Sequence, residues 1–185
     1  EAVRSSVWQA PSELAGRVLS VIADALGCDI FAAAAPLHPA GAVYFAMAEE
    51  DVQRILSHPN AMIGSDGLPH DEHPHPRLWG TFPRVLGHYC RDLKLFSLEE
   101  AVRRMTGYSA ETFGLIDRGV VKTGAFADIP IFNEDTVLDR ATFDKPMTPA
   151  SVIDTVMCNG IIVWAQGGAT GHRPGDVLRH GGART

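Results

Sequence analysis

The chain has 185 residues, 45% hydrophobic and 21% charged, which is enough apolar material for a sizeable core and excludes disorder, collagen-like repetition and a disulfide-stapled miniprotein. Sixteen Lys plus Arg against 22 Asp plus Glu leave a formal net charge of −6 with no basic stripe, which argues against a nucleic-acid-binding surface. No run approaches the ~18 apolar residues of a membrane span, and Glu1-Ala2-Val3-Arg4 has no secretory pattern, so a soluble, cytoplasmic protein without membrane contact is expected.

From Pro11 to Leu26, apolar Leu14, Val18, Leu19, Val21, Ile22, Ala25 and Leu26 recur at helical spacing, with Ser12 as N-cap and Gly27 as stop. Ala42 to Met47 reads as a buried strand after the breakers Pro36 to Gly41. Glu49 to Ser57 reads as a helix, its acidic start suiting the positive end of the helix dipole, and His58-Pro59 ends it. Ala61 to Gly64 reads as a second buried strand running into Ser65-Asp66-Gly67. Strand, helix, strand in about twenty residues is the rhythm of a parallel α/β sheet or barrel, in which Asp66 falls at a strand's carboxyl end, the side that carries active sites.

A proline-rich loop, Leu68 to Trp79, follows. Helical pattern resumes over Pro83 to Leu93, over Ser97 to Met105 behind a Ser97–Glu100 capping box, and from Ser109 to Gly114. Beyond Leu115 the pattern changes to short β-like runs: Gly119-Val-Val, Ala127 to Phe132, Val152 to Cys158 and Ile161 to Trp164, with Asn159-Gly160 a strong hairpin signal. Pro130 requires its strand to be an edge or irregular. From Gly167 a surface extension is expected. Cys28, Cys90 and Cys158, odd in number and outside any C-x-x-C, read as small buried apolar residues.

Chemistry has few candidate positions. Asp66 is placed either to touch a metal or take a proton from water, or to cap its own loop, and spacing does not choose between these. His70, His73 and His75 invite a zinc reading, but proline-interrupted histidines in a loop lack the rigid framework such sites need. Arg77 could grip a carboxylate through two parallel hydrogen bonds, although a surface salt bridge to Asp71 or Glu72 is the simpler role on spacing alone. His88 reads as a packed histidine, and Trp79, Phe82 and Tyr89 as a wall between loop and core.

Taken together, Ile63-Gly-Ser-Asp-Gly-Leu-Pro-His-Asp71, His75-Pro-Arg-Leu-Trp-Gly-Thr-Phe-Pro-Arg-Val-Leu-Gly-His88, Met105 to Leu115, Arg118-Gly119, Gly124 to Asn133 and Val156 to Gly160 resemble the C-terminal portion of the N-acyl-D-amino-acid deacylases (D-aminoacylases) of the amidohydrolase superfamily. The G-x-x-A-D-[IL] run with a later Asn-Gly supports the superfamily only, whereas Ser-Asp-Gly-Leu-Pro-His with His-Pro-Arg-Leu-Trp-Gly supports the deacylases. The resemblance implies an α/β fold: residues 1–115 as the C-terminal part of a TIM-like (β/α)8 barrel whose last strand ends at Asp66, and residues 116–185 as a small β-sandwich module with a tail. It implies a zinc-dependent hydrolase that splits N-acyl-D-amino acids into a carboxylate and a free D-amino acid. Asp66 would be metal contact and general base, and Arg77 would bind the substrate's α-carboxylate. The family's Cys and His metal ligands, and its Lys and Tyr substrate contacts, lie on earlier strands. A complete barrel takes about 250 residues, so the rest is expected from an N-terminal portion or a larger partner chain. The rivals are a cyclic amidase of the hydantoinase or dihydroorotase type and a non-catalytic binding or scaffold subunit.

Overall fold

The computed structural model describes residues 3–6, 14–38, 41–69 and 73–181. The chain divides into two compact units whose segments interleave in sequence. One comprises Glu1–Val52, Ser65–Thr81 and Arg140–Pro149, the other Gln53–Gly64, Phe82–Asp139 and Ala150–Thr185.

In the first unit, strand β1 (Val3–Ser6) pairs antiparallel with β2 (Gly41–Tyr44), and helices α1 (Leu19–Leu26) and α2 (Ile30–Ala34) lie between them in sequence. The buried strand expected over Ala42 to Met47 therefore forms only at its front half, paired antiparallel instead of within a parallel sheet, and it is largely exposed among the described residues. The first helix starts at Leu19, after a turn at Leu14, and ends on Gly27 in the left-handed region (φ 64°) as its sequence requires; the proposed cap Ser12 lies outside the described residues. Asp29 caps α2 by accepting from the Phe31 and Ala32 amides at 2.8 and 3.0 Å. Buried Ile22, Ala23, Ala33 and Leu37, with Leu14 and Leu19 against them, form this unit's core.

Helix α3 (Glu49–Leu56) has Glu49, Glu50 and Asp51 in its first turn and Arg54 in its last, each sign at the favourable end of the dipole. Residues 61–68 form no strand, contrary to the apolar run Ala61 to Gly64. An extended segment becomes a strand only when a neighbour takes its backbone groups. Here the only described backbone bonds along it are a turn bond from the Ala61 amide and one long bond, Ile63 N–H to Arg104 O at 3.4 Å.

Helix α4 (Arg77–Arg84) starts six residues ahead of the helical pattern at Pro83, with Pro83 inside its last turn, and continues as a π-helical stretch, Val85–Asp92. In the second unit this stretch buries Val85, Leu86, Tyr89 and Cys90, and Arg91 donates to the Val137 carbonyl at 2.8 Å. Helix α5 (Leu98–Met105) begins at Ser97, whose hydroxyl accepts from the Glu100 amide at 3.3 Å; α6 (Gly107–Thr112) follows. The Glu100 carboxylate turns to Arg103 and Arg104, and buried Arg104 also donates to the Leu56 carbonyl and lies over the Phe96 ring.

A four-stranded antiparallel sheet in the order β3-β4-β5-β6 completes this unit: β3 (Ile129–Phe132), β4 (Ile153–Cys158), β5 (Ile161–Ala165) and β6 (Gly168–Ala169). Gly119-Val-Val, expected as β-like, forms no strand. Asn159 and Gly160 have φ of 49° and 78°, as the anticipated tight hairpin between β4 and β5 demands. Pro130 lies in outermost β3, beside a register break between Ile131 and Phe132, satisfying both alternatives anticipated for it. The chain after β6 is pinned to its own unit: Asn159 donates to the Pro174 carbonyl at 2.6 Å, His180 to the Phe113 carbonyl at 3.0 Å and the Gly181 amide to Gly114 O at 3.0 Å. Of the cysteines, Cys90 is buried, with burial pushing its thiol pKa up, Cys158 is half-buried and Cys28 is exposed, so the buried reading fails for Cys28, which follows the helix stop at Gly27.

Candidate active site

Ser65-Asp66-Gly67 is a sharp bend. The Ser65 hydroxyl accepts from the Gly67 amide at 3.3 Å, and Asp66 sits at φ 47°, a left-handed conformation that aspartate tolerates better than most residues. Gly67 is required by contact: a Cβ there would lie 2.8 Å from Leu78 Cα and 2.7 Å from its Cδ1. The bend therefore seats directly on the first turn of α4, where Arg77 stands.

Asp66 and Arg77 meet. Arg77 Nη2 lies 2.7 Å from Asp66 Oδ2, and Nε donates to the Asp66 backbone carbonyl at 2.9 Å. The Asp66 side chain is 78% exposed and that of Arg77 39%, so the pair is open at the surface of the described residues. Both line a cavity of about 420 Å3 with Gly41, Val43, Tyr44, Leu68 and His75. Asp71 and Glu72, offered as salt-bridge partners for Arg77, and His70 lie outside the described residues.

The remaining histidines act as framework. His73 donates Nε2–H to the Phe143 carbonyl at 2.6 Å. His75 accepts the Arg77 amide on Nδ1 at 3.0 Å and meets the Phe143 ring edge-on at 5.1 Å. Burial and the charge of Arg77 push the His75 pKa below its ordinary 6.5, against the pull of Asp66, which favours the neutral ring that can accept on Nδ1. No group of three or more His, Cys, Asp and Glu among the described residues could hold a metal. A catalytic zinc takes three ligands from protein, so Asp66 by itself would not hold one, and the described residues alone do not fit that metal. Of the aromatic wall, Tyr89 is buried, while Trp79 and Phe82 are exposed. Half-buried His88 packs edge-on against Tyr89 at 5.0 Å.

A second constellation, in the other unit, carried only a family signature in the sequence. Arg118, 10% exposed, pairs with Asp128, donates to Asn159 Oδ1 at 2.7 Å and lies 4.0 Å over the Phe126 ring. Asp128 also accepts the Asn159 amide at 2.8 Å. The G-x-x-A-D-[IL] run and the distant Asn-Gly are therefore one polar clasp that holds the hairpin to the chain before β3, a structural role without an open reacting position.

The model of the amidohydrolase family matches residues 25–164. A D-aminoacylase from Alcaligenes xylosoxydans xylosoxydans is 54% identical over 172 residues, 92% of this chain and 36% of the relative. A crystal structure of a D-aminoacylase, described as defining a subset of amidohydrolases, superposes with a TM-score of 0.93 at 51% identity, over 97% of this chain and 38% of that one. The N-acyl-D-glutamate deacylase of Bordetella bronchiseptica, solved with zinc and a phosphonate mimic of the tetrahedral intermediate, gives a TM-score of 0.90 at 51% identity, over 96% and 37%. The chain thus spans little more than a third of the length of the relatives it matches.

Proposed function

The chain belongs to the amidohydrolase family, and on that premise we propose that it is the C-terminal portion of a zinc-dependent deacylase that hydrolyses N-acyl-D-amino acids to a carboxylate and a free D-amino acid. The observation that carries this reading is the Asp66–Arg77 pair lining one cavity, an exposed carboxylate beside a guanidinium anchored through Nε. In the proposal Asp66 takes a proton from the attacking water and returns it to the leaving amine. Arg77 receives the α-carboxylate of the substrate, a planar fork matched to a planar anion. The relatives, a D-aminoacylase and an N-acyl-D-glutamate deacylase, support an open-chain substrate over a cyclic amide.

Zinc, present in the Bordetella bronchiseptica relative, would be held by Asp66 together with ligands outside the described residues, on the N-terminal portion of the same enzyme or a larger partner chain. We propose residues 1–115 as the end of a (β/α)8 barrel and residues 116–185 as a small β-sandwich module, with the enzyme in the cytoplasm. The test is Asp66→Asn in the full-length protein, with zinc content and turnover of an N-acetyl-D-amino acid both measured. Loss of about 10²–10⁴-fold in kcat is expected for removal of a general base; near-normal turnover would falsify the assignment.

A further inference from the structure

The first backbone N–H groups of a helix have no partner within it and are usually met by a Ser, Thr, Asp or Asn side chain. At the start of α4 those residue types are missing. The Leu78 amide bonds to the His75 carbonyl at 3.1 Å, the Trp79 amide to the Pro76 carbonyl at 3.1 Å, and the Arg77 amide to the His75 ring at 3.0 Å. Arg77 is thereby held at both ends: its N–H by His75 Nδ1, its C=O by the Thr81 hydroxyl at 2.8 Å, and its side chain by the carbonyl and carboxylate of Asp66.

The His75 ring is itself fixed. Phe143 meets the His75 ring edge-on, packs at a tilt against Phe45 with ring centroids 4.6 Å apart, and is tethered through its carbonyl by His73. All of these residues belong to one unit. A ring that only filled space would not need its nitrogen aimed at the amide of Arg77, whose guanidinium reaches Asp66. We infer that His75 is a positioning residue for Arg77: its Nδ1, seated by Phe143, sets the backbone from which the guanidinium reaches the Asp66 carbonyl and addresses the substrate carboxylate. The inference rests on the carboxylate-clamp reading of Arg77.

The experiment separates the acceptor from the ring. In the full-length enzyme, His75→Asn keeps an acceptor near the Nδ1 position, whereas His75→Phe keeps the ring against Phe143 and removes the acceptor. Kinetics on N-acetyl-D-leucine and on its carboxamide are compared with Arg77→Ala. His75→Phe is expected to raise KM for the acid about tenfold, the size of one lost hydrogen bond, with kcat and the carboxamide little changed; His75→Asn should restore KM. Equal effects of Asn and Phe, or no effect of Phe, overturn the inference. If Arg77→Ala weakens acid and carboxamide alike, the clamp reading fails separately, and crystal structures of the two variants then decide the positioning role. Arg77 Nε leaving the Asp66 carbonyl in His75→Phe but not in His75→Asn supports it; an unmoved Arg77 in His75→Phe overturns it. His75→Ala serves the same comparison should the Phe variant not fold.

Discussion

Arg118→Met tests how much the clasp between Asp128 and the Asn159-Gly160 hairpin contributes. Methionine keeps an unbranched apolar side chain and removes the guanidinium, together with its cation–π contact on Phe126. Breaking one side of a buried ion pair costs about 3–5 kcal/mol, but Asp128 is 36% exposed and retains the Asn159 amide, so water and one hydrogen bond recover part of that. Asn159 Oδ1 also loses its 2.7 Å donor, a loss of about 1 kcal/mol. The net is about 2–3 kcal/mol, or about 30–150-fold in the opening equilibrium of the hairpin, since 1.4 kcal/mol is about tenfold. Amide hydrogen exchange across Ile153–Cys158 and Ile161–Ala165 reads this directly. Adding Asp128→Asn should return about half of the lost protection, because an amide still accepts from Asn159 without stranding a charge. Exchange altered less than threefold in Arg118→Met, or a double variant no better than the single one, refutes the reasoning.

Two other perturbations follow from the same structure. Gly67→Ala puts a Cβ against the Leu78 backbone; it should destabilise by about 1–3 kcal/mol and raise KM by pushing the bend off the first turn of α4, and thermal unfolding and KM both at wild-type values would rule this out. Hydrogen bonds from Arg103 and Arg104 pull Glu100 from 4.5 down to about 2, so its contribution to stability is complete above pH 4.5 and is lost as the pH falls toward 2. Glu100→Gln should flatten the acid limb of the unfolding curve in that window, and an unchanged limb would remove Glu100 as its source.

Legibility in the sequence tracked how local the deciding interaction is. Gly27, Ser97, the acidic start of α3 and Asn159-Gly160 act within a few residues of themselves, so their residue types announced them. The strand expected at Ala61 to Gly64 depended on neighbours that spacing cannot supply, and its apolar run was misleading for that reason. The start of α4 was missed because an imidazole and two carbonyls, from His75 and Pro76, do the work for which one looks to Ser or Asp. Asp66 and Arg77 were legible as candidates, but not as partners. Their contact needs the Ser65–Gly67 bend, and the signal for it was Gly67, which reads as an ordinary loop glycine until Leu78 is placed beside it. Arg118 carried no sequence signal beyond its place in a resembling motif.

The register break beside Pro130 bears on how the second unit meets other molecules. A sheet recruits strands through long, regular rows of unpaired amides and carbonyls. On one side β3 offers only four residues, kinked and interrupted by an imino acid; on the other, β6 offers two. Among the described residues both flanks are therefore poor templates for an incoming strand, and this needs no charged residue on β3.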